Sequence, residues 1–373
     1  MKAAVIGAGI VGACTAHELA KSGAEVTLFE QFDVDHDRGS SYGDSRIMRR
    51  FYDDPYYTQL MTIAYPLWRS LERAVGETLF ERLGGLYFGP RDHPRLHSAL
   101  DGMRAIDPHA RFTEAAELRA RFPAFAFADG DAGIVDDDAG SLRASRCVRA
   151  AVHAAVDAGA RLNTGARVAS IERRDGAIVL STENERGICF DRAAVCAGPW
   201  TAKLLPQTRT PVRVTRQQYV HLRPVRDRAF FQAGAMPIFI EAGVDWYGFP
   251  EHGDVEGVKI ACHQFGPVVD PDDVPRDIDD DTIARTRVYV RGRLPALAGG
   301  DVTFAKTCLY TVSPDEDFIV DVVPGIEGCC YVTGCSGHAF KFGTLLGAVA
   351  ADLALDREPR ADIARFRAAR FAA

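Results

Sequence analysis

Residues 3–30, "AAVIGAGIVGACTAHELAKSGAEVTLFE", predict a strand, a tight turn, a helix and a second strand. Gly7, Gly9 and Gly12 form the pattern G-x-G-x-x-G directly after the first apolar run. The first glycine permits the turn, the second lets the backbone approach a pyrophosphate, and the third allows the helix to pack closely on the strand. The N-terminus of the helix adds partial positive charge beside these glycines. The stretch therefore predicts a βαβ unit that binds a dinucleotide.

Glu30 stands at the end of the second predicted strand. A carboxylate at this place accepts hydrogen bonds from the ribose diol of a dinucleotide, and it repels the 2′-phosphate of NADP. FAD-binding and NAD-binding proteins share this fingerprint, so the first thirty residues leave both cofactors open.

The composition is that of an ordinary globular protein, with 373 residues of which 47% are hydrophobic and 25% are charged. A net charge of -7 argues against nucleic acid as a general partner. No apolar run approaches the roughly 20 residues of a membrane span. Met1 leads directly into "KAAVIGAG" without a secretory segment. We therefore expect a cytoplasmic protein that does not span a membrane.

The nine cysteines contain no C-x-x-C pair, and their odd number argues against a full disulfide framework. Most are expected to be small buried apolar residues. A structural zinc site needs clustered Cys and His ligands at short spacing, so the sequence predicts no metal site.

Further α/β elements appear in the middle and near the end of the chain. Residues 142–162 predict a helix, and the run that follows predicts a hairpin around Asp175 and Gly176. Residues 328–355, "GCCYVTGCSGHAFKFGTLLGAVAADLAL", predict a strand, a glycine-rich turn and an amphipathic helix. The acidic run "DGDAGIVDDDAG" at 129–140 is expected to be a solvated loop.

These elements predict a mixed α/β (α+β) fold with two interleaved domains. A Rossmann-like FAD-binding domain is predicted from residues 1–80, 142–208 and 312–373. A β-rich substrate-binding domain is predicted from residues 81–141 and 209–311. Interleaving favours a flavoprotein, because a simple NAD dehydrogenase commonly keeps its Rossmann domain uninterrupted.

Seven segments, taken in order, resemble the monomeric sarcosine oxidase and N-methyltryptophan oxidase family, within the larger group of flavoproteins similar to D-amino-acid oxidase. The resemblance covers essentially the whole chain, and its segments are "VIGAGIVG", "GSSYGDSRIMRRFY", "GGLYFGP", "WYGFP", "VKIACHQFG", "KTCLYTVSPDEDFIVD" and "GCSGHAFKF". It implies an FAD-dependent enzyme with this two-domain fold.

The local sequence leaves Cys308 open as inert core, metal ligand, half of a disulfide or nucleophile. The resemblance implies that Cys308 carries FAD through a thioether to the flavin 8-methyl group. Basic neighbours are expected to favour the thiolate by lowering its pKa. The resemblance also places Arg46 near the flavin and adds Gly337 to the cofactor site.

The resemblance implies a carboxylate clamp and a pocket for the amine. Arg49 matches the arginine that binds the substrate carboxylate, and Lys341 matches a lysine that faces both this carboxylate and the pyrimidine edge of the flavin. Arg46 and Arg49 share one face if their segment is helical. A further set of residues is implied to line the pocket: Tyr247, His263 and Tyr310.

Lys259 matches the lysine that lies above the flavin ring and promotes reaction with oxygen. The sequence places Lys259, Tyr247 and His263 on neighbouring strands. Tyr42 stands where close relatives have histidine, and His338 is expected to be structural.

The implied activity is oxidation of a secondary or N-methylated amino acid to an imine, with oxygen reduced to hydrogen peroxide. The implied partners are this small substrate and oxygen, and the chain is expected to be a monomer. An oxidase or dehydrogenase of a cyclic imino acid, a primary amino acid or a biosynthetic amine intermediate is the first alternative. A flavin-binding protein without turnover is the second.

Overall fold

The start of the chain forms β1 (Lys2–Ile6), α1 (Ile10–Lys21) and β2 (Glu25–Phe29) in the computed structural model, which describes residues 1–371. This confirms the predicted strand, turn, helix and strand. Ala3 and Val5 pack against helices, while Ala4 and Ile6 pack on the opposite side. Both faces of β1 are therefore buried, as its continuous apolar run requires in a parallel sheet.

Within residues 1–371 the chain forms eight α-helices, which are α1, α2 (Pro55–Val75), α3 (Pro94–Arg104), α4 (Ala115–Arg121), α5 (Ala144–Asp157), α6 (Thr201–Leu204), α7 (Asp280–Arg293) and α8 (Gly343–Ala354). Local sequence sets the ends of α2. The Asp54 carboxylate accepts a hydrogen bond from the backbone N–H of Tyr56 at 2.9 Å, Pro55 is the first helical residue, and Gly76 follows the helix with φ 66°.

A six-stranded sheet carries the nucleotide-binding features, in the order β19-β20-β13-β1-β2-β9. Beyond β1 and β2, its strands are β9 (Arg161–Asn163), β13 (Arg192–Val195), β19 (Ile319–Val322) and β20 (Cys329–Thr333). β1 pairs in parallel with β2 and β13, and β13 pairs in parallel with β20. The sheet therefore draws its strands from the start, middle and end of the chain.

An eight-stranded sheet has the order β18-β14-β17-β16-β15-β5-β7-β6. Its strands are β5 (Gly85–Pro90), β6 (Thr113–Glu114), β7 (Asp131–Asp136), β14 (Arg213–Leu222), β15 (Ile238–Glu241), β16 (Trp246–Phe249), β17 (Val258–Cys262) and β18 (Val302–Val312). Apart from the parallel pair of β5 and β15, the neighbouring strands are antiparallel. The domain boundaries given above stay a prediction.

Two three-stranded sheets complete the fold. One consists of β3 (Arg46–Met48), β4 (Phe80–Arg82) and β8 (Gly140–Leu142). The other consists of β10 (Val168–Arg174), β11 (Ala177–Thr182) and β12 (Ile188–Phe190), and it includes the predicted hairpin at Asp175 and Gly176. Residues of β10 and β11 pack with β1 on the face of the six-stranded sheet opposite to α1, α5 and α8.

The acidic run at 129–140 is not a solvated loop, so that prediction was wrong. β7 occupies half of it and pairs with β5. Asp131 and Asp136 are only 3% and 2% exposed. Each carboxylate forms an ion pair with an arginine far away in sequence, Asp131 with Arg293 and Asp136 with Arg50. These partners offset the desolvation of the buried charges, which local composition could not reveal.

One further expectation about an element was wrong, and one condition considered for the arginine segment is not met. α8 is not amphipathic, because every residue of the helix except Leu353 is buried between the six-stranded sheet and α1. The segment of Arg46 and Arg49 is not helical, since β3 spans 46–48 and pairs with β8. Arg46 and Arg49 therefore reach the site from an extended backbone.

Candidate active site

The glycines of the first turn form a tight backbone cradle. Gly7 has φ +99°, and a Cβ on it would lie 2.5 Å from the carbonyl oxygen of Cys196. A Cβ on Gly12 would lie 1.8 Å from the carbonyl oxygen of Gly7. A Cβ on Gly9 would lie 3.1 Å from Ser41 Oγ. The geometry therefore requires glycine at Gly7 and Gly12, and it keeps the N-terminus of α1 open.

Glu30 lies beside this cradle and is 4% exposed. Its Oε2 accepts a hydrogen bond from the backbone N–H of Ala8 at 2.8 Å, and its Oε1 accepts one from Phe32 at 3.0 Å. The two bonds fix the carboxylate at the end of β2. Its orientation fits recognition of a ribose diol next to the glycine turn.

A cavity of about 520 Å³ extends from the cradle to Arg46, one of the cationic residues named in the sequence analysis. Its lining includes Gly9 and Glu30 at one end and Arg46, Tyr310 and Gly337 at the other. Gly337 has φ +78°, and a Cβ on it would lie 2.2 Å from the Tyr310 ring. The cradle, the acid and this continuous cavity fit an extended dinucleotide such as FAD.

The strand register places four of the predicted site residues on one face of the eight-stranded sheet. Residues directly opposite each other in an antiparallel pair, and residues two apart on one strand, point to the same face. Tyr247 pairs with Ala261, which lies two residues after Lys259, so Tyr247 and Lys259 point to the same face. β14 pairs with both β17 and β18, and its register places Cys308 and Tyr310 of β18 on that face as well. The hydroxyl oxygens of Tyr247 and Tyr310 are 3.4 Å apart.

Lys259 is buried on this sheet face and reaches the segment before β3. Its Nζ donates to the backbone oxygen and to Oγ of Ser45, both at 3.2 Å, and it lies 4.1 Å from the centre of the Tyr219 ring. Burial, together with the charge of Arg46, lowers the pKa of Lys259 to about 7. The amine of Lys259 therefore holds its proton only weakly at neutral pH.

Arg46 and Arg49 are fixed by backbone carbonyl groups and aromatic rings. Arg46 donates to the carbonyl oxygens of Ser40 at 2.9 Å, Tyr42 at 2.7 Å and Ser45 at 2.8 Å. Arg49 Cζ lies 3.8 Å from the centre of the Tyr52 ring. Neither contact neutralises the guanidinium charge.

Lys341 lies in a short 3-10 helix, Phe340–Phe342, that leads into α8. Its Nζ donates to the Tyr52 hydroxyl and to the carbonyl oxygen of His338, both at 2.8 Å. Its own carbonyl oxygen accepts a 2.7 Å hydrogen bond from Trp68 Nε1 of α2. Burial and the charges of Arg49 and Arg46 lower the pKa of Lys341 well below its usual value.

These four cations lack acidic partners. Among residues 1–371, no carboxylate oxygen lies within 4.0 Å of a side-chain nitrogen of Arg46, Arg49, Lys259 or Lys341. Elsewhere in the molecule buried charges are paired, as in the contact of Arg293 with Asp131. Unpaired cations in a low-dielectric site are costly, so this arrangement is suited to receiving anionic groups.

The remaining pocket residues are uncharged at neutral pH. Burial lowers the pKa of His263 to about 4 and raises the pKa of Tyr247 to about 12. The His263 and Tyr310 ring centres are 5.5 Å apart. Lys259 lies on β17, His263 directly follows that strand, and β17 pairs with β16, which carries Tyr247. The predicted neighbouring strands are therefore present. The ring centres of His338 and Phe318 are 4.6 Å apart, so the imidazole packs in an aromatic cluster, as expected for a structural residue.

Burial raises the pKa of the Cys308 thiol above its usual value, while Arg46 and Lys259 act in the opposite direction. The expected lowering of the pKa by basic neighbours is therefore outweighed by desolvation. Both cations nonetheless lie near enough to act on the sulfur.

Three residues that contact the predicted site were missed by sequence reasoning: Ser45, Tyr52 and Trp68. Ser45 and Tyr52 lie inside the matching segment "GSSYGDSRIMRRFY", so their proximity to the arginines was the available signal. Trp68 contacts Lys341 from a helix far away in sequence, and no local pattern marks it.

Among residues 1–371 no group of three or more His, Cys, Asp or Glu side chains is placed to hold a metal ion. No helix of the described chain is long and apolar enough to cross a membrane. None of the nine cysteines, all of which lie within residues 1–371, forms a disulfide.

Fold and site together define a dinucleotide-binding protein with a cationic pocket at one end of its cofactor cavity. Residues 2–353 match the model of the FAD dependent oxidoreductase family (DAO), and this chain belongs to that family. The enzyme is thus an FAD-dependent oxidoreductase, as the sequence predicted.

Relatives of similar length support the same family. The chain is 32% identical to peroxisomal sarcosine oxidase of Mus musculus, over 99% of this chain and 96% of that protein. It is 30% identical to N-methyl-L-tryptophan oxidase of Escherichia coli strain K12, over 98% of each chain. The crystal structure of L-proline dehydrogenase from P. horikoshii shares the fold with a TM-score of 0.85 at 19% identity, covering 100% of this chain and 97% of that one.

Proposed function

We propose that the protein oxidises a secondary or N-methylated amino acid similar to sarcosine. When bound, FAD accepts a hydride from the carbon next to nitrogen, which leaves an imine for hydrolysis, and it passes the electrons to oxygen to give hydrogen peroxide. The names of the relatives, sarcosine oxidase and N-methyl-L-tryptophan oxidase, support this substrate class. The chain itself supplies binding, orientation and electrostatics.

The observation that carries the proposal is a set of four cations without acidic partners, of which Lys259 and Lys341 are buried and Arg46 and Arg49 are half-buried. Arg49 and Lys341 both contact Tyr52, and together they form a site for a substrate carboxylate. Arg46 lines the cofactor cavity, where it would face the negatively charged groups of FAD. A charge-assisted clamp at a desolvated site fixes the amino acid in one orientation.

The amine end of the substrate is proposed to face His263, Tyr247 and Tyr310. The imidazole is neutral at physiological pH, and both phenols stay protonated because burial raises the pKa of each. The pocket formed by these three side chains offers no negative charge of its own to offset the desolvation of an ammonium ion, and the cations Lys341 and Arg49 act on His263 from nearby. It therefore favours the neutral amine, which is the form that can give up a hydride.

Cys308 is proposed to bind FAD covalently, and Lys259 to assist the reaction with oxygen. Cys308 shares a sheet face with Lys259, lies close enough to Arg46 for that charge to act on its sulfur, and directly precedes Leu309, which lines the cofactor cavity. Lys259 is buried and keeps its Nζ on Ser45, so its charge is fixed in place. A fixed cation near the flavin favours formation of an anion from oxygen.

Arg49→Ala tests the clamp. Removing one charge of a desolvated pair should cost about 2 to 5 kcal/mol in binding or transition-state stabilisation. We expect KM for sarcosine or its N-methyl analogues to rise far more than KM for the corresponding methyl ester. Steady-state assays of peroxide release, with both substrates, measure the difference.

Arg49→Lys is the matched control because it keeps a positive charge while losing the planar fork. It should lose less discrimination between acid and ester than Arg49→Ala. Equal losses of activity on the acid and on the ester in Arg49→Ala would contradict the clamp.

Tyr42 is the residue on which a second possible substrate class depends. It lines the cofactor cavity and its carbonyl oxygen accepts from Arg46, while Lys306 Nζ lies 4.9 Å from the centre of its ring. The family resemblance places a histidine at this position in most close relatives, so the phenol leaves open a different substrate, such as a cyclic imino acid, a primary amino acid or a biosynthetic amine intermediate. A panel of amines, read with oxygen and with an artificial electron acceptor, distinguishes these classes and separates oxidase from dehydrogenase.

We also propose that the enzyme acts as a monomer. Its most exposed large apolar side chains belong to different elements, for example Val288 on α7 and Val322 on β19. Light scattering coupled to size-exclusion chromatography should give the mass of one chain, and the mass of a dimer would contradict this proposal.

A further inference from the structure

Tyr52 makes contact with both cations of the proposed carboxylate clamp through two different parts of one side chain. The face of its ring lies under the Arg49 guanidinium, with Cζ at 3.8 Å from the ring centre. Its hydroxyl oxygen accepts a 2.8 Å hydrogen bond from Lys341 Nζ. The residue therefore connects a charge that directly follows β3 with one in the 3-10 helix before α8.

The two contacts offset the repulsion between the positive charges of Arg49 and Lys341. Arg49 lies close enough to Lys341 to lower its pKa, in addition to the effect of burial. An aromatic face attracts a guanidinium, and a phenol oxygen stabilises an ammonium that has left water. Lys341 uses two N–H groups on Tyr52 and on the carbonyl oxygen of His338, which leaves one for a substrate.

Tyr52 is itself held firmly. It is 4% exposed, and its ring packs on Tyr57 at 5.3 Å with an interplanar angle of 28° and on Phe342 at 5.9 Å. Burial raises the pKa of Tyr52, so its hydroxyl stays protonated. A ring fixed on two sides defines where the charges above it can lie.

We propose that Tyr52 is the positioning residue of the clamp, and that it sets the distance and direction of Arg49 and Lys341 for a carboxylate. The inference rests on the proposed function of this pair as the carboxylate site. Tyr52 does not need to touch the substrate, since it acts through the two cations.

The test uses the FAD-loaded enzyme and acetate as the probe. Acetate binding is followed as a change in the flavin absorbance band. Tyr52→Phe keeps the ring under Arg49 and removes only the hydroxyl, so we expect the Kd for acetate to rise about tenfold, the value of one hydrogen bond to a charged group. Tyr52→Leu also removes the ring and should add a rise of about fivefold.

The second readout separates positioning from general damage to the protein. In Tyr52→Phe, KM for the amino acid should rise while KM and kcat for its methyl ester stay near the wild-type values. Tyr57→Phe is the matched control, because it removes a hydroxyl from the neighbouring stacked ring that bonds Asp317 Oδ1 at 2.7 Å instead of a clamp residue. It should leave the Kd for acetate unchanged.

The outcomes distinguish the inference from the function on which it rests. If the wild-type enzyme binds acetate and Tyr52→Phe binds it equally well, the positioning role is overturned and the clamp stands. If the wild-type enzyme does not bind acetate at all, the clamp is overturned together with the inference.

Discussion

Lys259 is buried beside Ser45, and its charge is proposed to serve the oxygen half of the reaction. Lys259→Met removes the charge and keeps most of the volume. We expect anaerobic reduction by substrate to change modestly and reoxidation by oxygen to slow on the order of 100-fold, about 3 kcal/mol of lost stabilisation. Stopped-flow absorbance in the flavin band measures each half separately.

The pH dependence supplies a control on the same residue. Burial lowers the pKa of Lys259 to about 7, so the ammonium is present below this pH and is lost as the pH rises through it. Wild-type reoxidation should therefore slow as the pH rises through about 7, and the Met variant should show no such step. Wild-type reoxidation rates in Lys259→Met would assign oxygen activation to another group.

Cys308 gives a prediction that requires no kinetics. If FAD is bound to its sulfur, protein precipitated with acid stays yellow and its mass exceeds that of the polypeptide by one FAD. Cys308→Ser should release all of its flavin into the supernatant. Cys262→Ser is the control, since this thiol is partly exposed and lies at the end of β17.

Loss of colour from the precipitated wild-type protein would contradict the covalent bond. It would leave FAD as the cofactor, because the glycine cradle and Glu30 do not depend on Cys308.

Sequence reasoning reached the site residues that lie in contiguous, distinctive segments, such as Arg49 in "GDSRIMRR" and Lys341 in "SGHAFKF". It did not reach contacts made across the chain. Tyr52 and Lys341 are separated by 289 positions, and only the folded chain brings the phenol to the ammonium. The net shift of the Cys308 pKa was also out of reach, because it depends on burial and not on neighbouring letters.

At the level of elements, the ion pairs that join α7 to β7 and β15 are expected to stabilise the fold and to have no part in catalysis. Arg293 at the end of α7 forms ion pairs with Asp131 and with Glu241, and both carboxylates are buried. Arg293→Ala leaves two buried charges without a partner. We expect a loss of about 3 to 5 kcal/mol in the free energy of unfolding, measured by urea denaturation.

Arg291→Ala is the matched control on the same helix, because Arg291 is exposed and forms no ion pair among residues 1–371. Its midpoint in urea should equal that of the wild type. KM for the substrate should be unchanged in Arg293→Ala that remains folded. An unchanged midpoint in Arg293→Ala would contradict a stabilising role for the buried pairs.

Elements with a strong local pattern could be predicted, and elements defined by tertiary partners could not. The fingerprint and its spacing gave β1, α1 and β2, while the turn Asp175-Gly176 gave the hairpin of β10 and β11. β7 was missed because its acidic residues find arginines elsewhere in the chain. α8 was taken as amphipathic because its burial on all sides comes from neighbours that its own sequence does not contain.

For the whole molecule, cofactor binding should stabilise the fold by mass action. Purified Cys308→Ser without flavin offers a chain to which FAD can be added. At a hundredfold excess of FAD over its Kd we expect about 2.7 kcal/mol of added stability and a melting temperature that rises with FAD concentration. Differential scanning fluorimetry measures the shift.

FMN is the control because it lacks the adenosine ribose that Glu30 is placed to bind. It should raise the melting temperature less than FAD at the same concentration. Equal shifts with FMN and FAD would mean that the glycine cradle and Glu30 do not hold the second nucleotide half.

The close packing of α1 on α8 determines when the FAD-binding domain can finish folding during synthesis on the ribosome. A Cβ on Gly347 would lie 2.5 Å from Cys14 Cβ, and one on Gly343 would lie 2.7 Å from Ile10 Cγ1, so the earliest helix is seated against the latest. During synthesis the part of α1 that packs on α8 therefore stays uncovered until α8 emerges, although α5, which also contacts α1, is made earlier. The cofactor cavity is also lined by residues between 332 and 340, and we expect it to bind FAD only after α8 has been made. A chain that terminates before Gly343 should remain colourless and need chaperone protection.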